Sequence, residues 1–262
     1  MSTYEASTFF KKVIPSPSVE LRGVNISYSQ GNSNGGFSLD INQLSIVGGT
    51  IHCIYGTNGC GKTSILRLLA GLMPVSQGSV NWQNLESPKP GRDYILVTQA
   101  GPVPHWTVHE NITEPQIDNS IPLKDAELRT RHVIELLGLQ NLENRYAHQL
   151  SAGQQQRTVL ARALALSPKI LLLDEIMSGQ SEYWAERIAE LLRQFVSMKG
   201  LVIMVSHDPE WVMVNADRVT HIVSGHGDAV SATHFFCGYD GDGKDWLAFR
   251  EARFLSLKGE RR

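Results

Sequence analysis

The sequence has few cysteines and no long apolar run. Its three cysteines, Cys53, Cys60 and Cys237, are too few and too scattered for a disulfide framework, and no Cys/His cluster has the spacing of a zinc site. The longest wholly apolar stretches, 170–173 and 201–205, fall far short of the ~20 residues that span a bilayer. These absences predict a chain that stays in a reducing compartment and has no membrane span of its own.

Strong net charge is also missing. Lys and Arg number 24 against 26 Asp and Glu, a formal charge of -2, so there is no overall attraction to nucleic acid or to an anionic membrane. No nucleic-acid partner is expected. Of the 262 residues, 42% are hydrophobic and 19% charged, enough apolar side chain for a buried core in one large domain or two small ones.

Apolar periodicity predicts strands and helices in α/β order. A helix follows Gly61, a second spans 154–166, and a third carries Trp184 and Phe195 on one face. The runs that resemble strands are 19–28, 37–41, 50–55, 95–97, 170–173 and 201–205. A further helix is expected at 125–139, and 101–125 has the composition of a loop with a brief helical turn. Strand, helix and strand in succession predict a parallel sheet.

The segment 56–63 reads GTNGCGKT and matches the phosphate-loop pattern G-x-x-x-x-G-K-[ST] between a strand and a helix. In such a loop backbone N–H groups point at phosphate oxygens, Lys62 reaches the terminal phosphates and the Thr63 hydroxyl ligates Mg²⁺. An ordinary glycine turn before a helix is the alternative. The predicted phosphate-binding residues are Gly56, Thr57, Asn58, Gly59, Cys60, Gly61, Lys62, Thr63 and Ser64.

Two adjacent carboxylates, Asp174 and Glu175, follow the apolar run 170–173. They would emerge at the carboxyl edge of a parallel strand, where open α/β sheets bind ligands. An Asp there can hold Mg²⁺, and the next carboxylate can polarise a water that attacks phosphorus. An isolated Asp-Glu pair would more often cap a helix, but the phosphate loop favours the catalytic interpretation.

The segment 150–157, LSAGQQQR, followed by ARAL at 161–164 and the acidic pair, resembles the nucleotide-binding subunits of ABC transporters. The family's phosphate loop, glutamine, signature, acidic pair and histidine occur in that order over about 19–223. The resemblance implies an α/β P-loop NTPase core with a mainly parallel sheet, an N-terminal antiparallel β-subdomain and a helical subdomain before the signature. The implied organisation is an extension (1–18), an ATPase domain (19–225, helical subdomain about 101–157) and a tail (226–262).

The resemblance also implies roles for single residues. Tyr28 would stack on adenine, although simple packing is the alternative for a strand tyrosine. Gln99 would contact Mg²⁺ and sense the membrane partner, and His207 would sense the γ-phosphate. The implied catalytic residues are Glu175, His207 and Lys62, and the implied metal ligands are Thr63, Gln99 and Asp174. The signature residues Ser151, Ala152, Gly153 and Gln154 would bind a γ-phosphate held by a second subunit.

By this resemblance the chain is expected to bind ATP and Mg²⁺ and to hydrolyse ATP at the cytoplasmic face of the inner membrane. Expected partners are separate permease subunits, a second ATPase subunit and an extracytoplasmic substrate-binding protein. The segments 104–111 and 146–151 look most like bacterial importer ATPases of the nitrate, sulfonate and taurine type. The alternatives are an exporter ATPase, a soluble ABC ATPase acting on ribosomes or DNA, and a degenerate subunit that only scaffolds.

Three features depart from the family pattern or modify it. Ala152 replaces a signature glycine, for which a mild effect is expected. The segment 176–181, IMSGQS, replaces the family's P-T-S-A-L-D, and the missing aspartate favours a heterodimer with a more regular ATPase subunit. Cys60 lies beside Lys62 at a helix N-terminus, which predicts a lowered thiol pKa and a maleimide reaction that ATP blocks.

Overall fold

The computed structural model describes residues 13–29, 36–85, 87–224 and 229–236. Within these residues the chain forms nine strands and six α-helices in α/β order. The strands are β1 (Ser18–Ser29), β2 (Gly36–Ile46), β3 (Ile51–Gly56), β4 (Gln77–Gln83), β5 (Tyr94–Val97), β6 (Ile170–Asp174), β7 (Leu201–Ser206), β8 (Arg218–Ser224) and β9 (Ala229–Phe236). The helices are α1 (Lys62–Leu69), α2 (Val108–Asp118), α3 (Leu123–Leu136), α4 (Ala152–Ala165), α5 (Glu182–Ser197) and α6 (Pro209–Asn215).

These strands form a single sheet in the order β4-β1-β2-β9-β8-β3-β7-β6-β5. The run from β8 to β5 is parallel throughout, with β3 between β8 and β7 and β6 between β7 and β5. Strand β1 pairs antiparallel with β2 and with β4. The fold class predicted from the sequence, a mainly parallel core with an N-terminal antiparallel part, is confirmed.

Strand β9 extends the sheet past the expected domain boundary at residue 225. It pairs antiparallel with β8 and parallel with β2, and so joins the antiparallel and parallel parts of the sheet. The described part of the expected tail 226–262 is therefore a strand of the sheet rather than a separate segment. The sequence AVSATHFF mixes small, polar and aromatic residues, so β9 lacks the continuous apolar run by which β6 and β7 were predicted.

Both faces of the parallel strands are covered, and this explains their apolar sequences. In β6, Ile170 and Leu172 pack toward β1, β2 and α1, whereas Leu171 and Leu173 pack toward α4 and α5. Alternate residues of a strand point to opposite faces, so each strand contributes to two cores. β3, β6 and β7 are buried along their whole length, as expected for strands between two layers.

Helices α2, α3 and α4 pack on one another and form the helical insertion between β5 and β6. The sequence predicted only a brief helical turn before residue 125, but α2 is a full helix. Thr107 caps it: its hydroxyl accepts from Glu110 N, while the Glu110 carboxylate accepts from Thr107 N. The apolar pattern is weak because α2 buries polar side chains, Asn111, Thr113 and Gln116 among them. Among the described residues no helix is long and apolar enough to cross a membrane.

Two leucines that fit the apolar patterns of the predicted helices, Leu72 and Leu128, are not buried. Leu72 lies beyond the end of α1 and is 70% exposed, and Leu128 on α3 is 69% exposed. Gly71 and Gly138 end these helices with φ values of 66° and 62°, a left-handed conformation that glycine adopts without strain. The chain leaves α1 at Gly71, before Leu72, whereas Leu128 lies in the middle of α3 on its exposed side.

These two glycines allow a matched test of packing at the end of α3. Gly138→Ala should destabilise the protein more than Gly71→Ala, although both force alanine into the same backbone conformation. A Cβ on Gly138 would overlap the outer ring atoms of Trp184, whereas a Cβ on Gly71 would lie 3.8 Å from the Tyr94 hydroxyl, an ordinary contact. We expect Gly71→Ala to cost about 1 kcal/mol and Gly138→Ala about 2–4 kcal/mol in urea unfolding. Equal losses would show that Trp184 is not packed against Gly138.

Candidate active site

The register of the parallel strands brings the predicted site residues to one edge of the sheet. Asp174 pairs with Val205, Val205 pairs with Ile54, and Val97 pairs with Leu173 one residue earlier. The residues that follow this row are the phosphate loop after β3, Gln99 after β5, Glu175 after β6 and His207 after β7. This edge consists of the carboxyl ends of the strands, where ligands bind in open α/β sheets.

The phosphate loop connects β3 to α1 and requires its glycines for two different reasons. Gly59 and Gly61 have φ values of 83° and 100°, which side chains strongly disfavour. Gly56 instead has no room for a side chain, because a Cβ on it would lie 2.7 Å from both Cys60 Sγ and Ile222 O. The loop thus turns sharply at the start of α1, and its residues 57–59 are exposed. Its N–H groups and the helix N-terminus form a site suited to an anion.

Lys62 and Thr63 begin α1 and face this loop and the acidic pair. The Lys62 ammonium is buried and donates to Gly56 O and Thr57 O, both at 2.9 Å. The Thr63 hydroxyl lies 3.1 Å from each carboxylate oxygen of Asp174. The loop, the first turn of α1 and the end of β6 are therefore joined by direct hydrogen bonds.

Glu175 is held from two sides. Gln99 Nε2 donates to one carboxylate oxygen at 2.9 Å, and His207 Nδ1 lies 3.1 Å from the other. Glu175 has a φ of 53°, which is rare for a residue with a side chain, and its N–H donates to Val205 O at 3.2 Å. Backbone strain of this kind clusters at functional sites. Residues from three parallel strands thus orient a single carboxylate.

Asp174 carries a buried charge. Desolvation raises the pKa of its carboxyl group, and the nearby Glu175 charge acts in the same direction. The Thr63 hydrogen bond and the charges of Arg67 and Lys62 act to lower the pKa, but burial is the largest effect. The ionised form is therefore less favourable in the folded protein than in the unfolded chain. A bound cation would relieve this cost.

Asp174→Asn should stabilise the ligand-free protein. The folded-state pKa of Asp174 is raised, so its ionisation costs stability as the pH rises through that pKa, and an amide of the same shape avoids the cost. We expect thermal melting at pH 7 to show a Tm a few degrees higher for the variant. The gain should shrink as the pH falls and Asp174 becomes protonated. A lower Tm at pH 7 would contradict a net desolvation cost at this site.

The structure overturns the expectation for Cys60. Its thiol is buried, with 2% of the residue exposed, between the loop and the sheet. Burial is the largest effect and raises the thiol pKa, although Lys62 and backbone N–H groups act to lower it. The expected lowered pKa was therefore wrong, and burial with a raised pKa opposes the reaction with maleimide. The helix N-terminus was visible in the sequence, but the packing of Cys60 against Gly56 was not.

The signature residues form the N-terminus of α4. The Ser151 hydroxyl accepts from Gln154 N at 3.4 Å, and the Gln154 side chain accepts from Ser151 N at 2.9 Å, which together make a capping box. Ala152 is the first residue of the helix and is exposed. Since alanine is a good helix former, this position tolerates it.

One contact of the signature loop was missed in the sequence. Gln180, in the segment that departs from the family pattern, donates to Gly153 O at 3.1 Å. The signal for this contact in the sequence is the glutamine that stands where the family has leucine. Tyr28 is the penultimate residue of β1 and pairs with Phe37. Its side chain lies outside the described part of the structure, so adenine stacking stays a prediction.

A family model described as ABC transporter matches residues 39–178. The chain belongs to the ABC transporter family. The match runs from β2 through the phosphate loop and the signature to the acidic pair. The residues assembled at the carboxyl edge of the sheet thus lie within or next to the segment that the family model matches.

Curated relatives of this ABC chain are import ATP-binding proteins. A sulfate/thiosulfate import protein of Chromobacterium violaceum is 37% identical over 193 residues, 72% of this chain and 52% of the relative. A spermidine/putrescine import protein of Vibrio cholerae is 32% identical over 214 residues, 80% of this chain and 55% of the relative. The chain thus spans about half the length of these relatives, and they are not of the nitrate, sulfonate or taurine type.

Solved structures agree with this family. A dimeric post-hydrolysis state of an ATP-binding cassette bound to ADP and Pi superposes with a TM-score of 0.69 at 25% identity. The superposition covers 78% of this chain and 93% of the other. The architecture described above is therefore that of an ABC cassette over most of its length.

Proposed function

We propose that this chain binds ATP with Mg²⁺, hydrolyses ATP and drives import through separate membrane subunits. The observation that carries the proposal is the Glu175 carboxylate, held between Gln99 and His207 one residue after Asp174. Residues that follow three strands meet at one half-buried carboxylate beside a phosphate loop. A structural carboxylate would not need this arrangement.

The phosphate loop fits a triphosphate. Residues 56–64 would surround the phosphates with backbone N–H groups, and Lys62 would exchange its bonds to Gly56 O and Thr57 O for phosphate oxygens. Such an exchange replaces hydrogen bonds between a cation and neutral carbonyls with stronger bonds between opposite charges. Lys62 therefore has a reason to be buried without an acidic partner in the described structure.

Thr63, Asp174 and Gln99 fit a magnesium site. Their hydroxyl, carboxylate and amide oxygens are hard ligands of the type that Mg²⁺ prefers. The raised pKa of Asp174 is consistent with a site made for a cation. When bound, the ion supplies positive charge that offsets the charge developing on the phosphates.

In hydrolysis Glu175 would accept a proton from the attacking water, while the water oxygen bonds to the γ-phosphorus and the bond to the ADP oxygen breaks. Gln99 and His207 keep the carboxylate in one orientation. His207 lies after β7 and is exposed, so it can also face the γ-phosphate. The products are ADP and phosphate.

The Glu175→Gln variant tests this assignment. The amide keeps the shape of the carboxylate but is too weak a base to accept the proton, so steady-state ATP turnover should fall by about 10²–10⁴-fold. ATP affinity, measured by fluorescent nucleotide titration, should remain the same, since the phosphate loop is intact. Glu182→Gln on the exposed first turn of α5 is the matched control and should retain full turnover. Unchanged turnover in Glu175→Gln would show that another group, or another subunit, is the base.

The import role rests on the import ATP-binding relatives. We infer that the chain acts at the cytoplasmic face of the inner membrane with separate permease subunits, a second ATPase subunit and an extracytoplasmic substrate-binding protein. The second ATPase subunit is proposed to be a different chain, because the segment 176–181 lacks the usual aspartate. The relatives described above import sulfate or thiosulfate in one case and spermidine or putrescine in the other, so the substrate class is open.

Affinity purification of the full chain from detergent-solubilised membranes of its source cells tests these partners. Membrane-spanning permease subunits and a second ATPase of different sequence should co-purify in stoichiometric amounts. The Lys62→Ala variant is the control, because it weakens ATP binding without altering the surfaces away from the loop. Recovery of ribosomes or DNA instead would contradict transport, and two copies of this chain in one assembly would contradict the heterodimer.

A further inference from the structure

The segment 176–181, which differs from the family pattern, contacts α4 through the side chain of Gln180. Gln180 reaches the N-terminus of α4 with both ends of its amide: Nε2 donates to Gly153 O at 3.1 Å, and Oε1 accepts from Arg157 Nη1 at 3.4 Å. Gly153 and Arg157 lie one turn apart on α4. A single side chain therefore bridges the first turn of α4, which carries the signature residues, and the second turn.

Arg157 depends on this bridge because it is buried and has no acidic partner. Only 8% of the residue is exposed, and burial lowers the pKa of its guanidinium. Within the described residues the ion pairs of the protein do not include it. Its guanidinium carbon lies 4.1 Å from the ring centroid of Trp184, a cation–π contact. Gln180 Oε1 and the Trp184 ring together replace the carboxylate that a buried arginine usually requires.

The two segments are in direct contact. A Cβ on Gly153 would lie 3.0 Å from Gly179 O and 3.4 Å from Gln180 Oε1, so a side chain there would require the neighbouring segment to shift by a few tenths of an ångström. Gly179 in turn has a φ of 76°, which lets the chain turn toward α4. The position of one loop therefore restricts the other.

The same segment begins at the catalytic carboxylate. Ser178 N donates to Glu175 O at 3.2 Å, and Gln180 N donates to Met177 O at 3.3 Å, so the backbone from Glu175 to Gln180 is a closed turn. Just after this segment, in α5, Trp184 packs against Gly138 at the end of α3. Contacts thus run from the hydrolytic residue through Gln180 to the signature and on to the helical insertion.

We propose that Gln180 is a positioning residue that fixes the signature loop in the orientation needed to bind the γ-phosphate held by a second subunit. It acts through the Gly153 carbonyl and is not itself a ligand of ATP. This inference rests on the proposed function, but of the experiments below only the last one requires ATP hydrolysis. Glutamine in place of the family's leucine at position 180 then serves to position the signature residues.

Hydrogen exchange of the full-length, nucleotide-free protein tests the contact directly. Gln180→Met keeps the length of the side chain and removes both polar ends. We expect the amides of Gln154, Gln155 and Gln156 to exchange about tenfold faster, because local opening no longer breaks the bond to Gly153 O. Peptides of the phosphate loop should exchange at the wild-type rate. Gln140→Met, at an exposed position of the helical insertion, is the matched control and should change neither region.

Gln180→Glu separates the two ends of the amide. A carboxylate still accepts from Arg157 but has no N–H for Gly153 O, so exchange at 154–156 should stay as fast as in Gln180→Met. Wild-type exchange in Gln180→Glu would overturn the assignment of the effect to the Gly153 carbonyl. Wild-type exchange in Gln180→Met would overturn the inference as a whole.

The functional consequence is read from ATP hydrolysis by the assembled complex. Gln180→Met should lower kcat several-fold and leave KM for ATP unchanged, because ATP binds first to the phosphate loop and meets the signature only on closure. A merely structural defect would change both and would also speed exchange of the phosphate loop, which would overturn the inference. Absence of ATPase activity in the wild type would contradict the proposed function and leave the exchange result standing.

Discussion

The site depends on the parallel pairing of β6 between β5 and β7. This pairing sets Asp174 level with Val205 and, across β7, with Ile54, just before the phosphate loop begins. A slip of one residue in β6 would turn Asp174 and every other side chain of the strand to the opposite face. The apolar residues of β6 prevent such a slip, because both faces of the strand pack into separate cores. The chemistry at the edge is thus positioned by packing in the interior.

The edge contains features that oppose folding. Asp174 is a buried carboxylate with a raised pKa, Lys62 is a buried ammonium bonded to two carbonyls, and Glu175 has a left-handed backbone. Strain of this backbone type costs about 1–3 kcal/mol, and each buried charge adds a desolvation cost. The two cores supply the stability that maintains them. A triphosphate and a cation would offset the two buried charges, and this supports the proposed binding site.

Much of this arrangement could be predicted from the sequence, because apolar runs mark β3, β6 and β7 and the residues after each run are distinctive. A long, uniform apolar run predicts both that a strand exists and where its carboxyl end lies. α2 could not be predicted in the same way, since its buried face is polar and its capping box is the stronger signal. β9 was missed because its residues are mixed and its partners, β2 and β8, are distant in sequence. Cys60 was misjudged because electrostatic neighbours can be read from sequence and burial cannot.

The segment 176–181 is a second case in which packing could not be predicted from the sequence. Compared with the family pattern it reads as a loss, since an aspartate is missing. In the folded chain, Gln180 bonds to the signature carbonyl and to a buried arginine, contacts that depend on the position of Trp184 and on the close approach of Gly153 to Gly179. Leucine at position 180 could make neither bond. A heterodimer that tolerates the missing aspartate would still need an ordered signature at its second site, and Gln180 supplies an intramolecular route to that order.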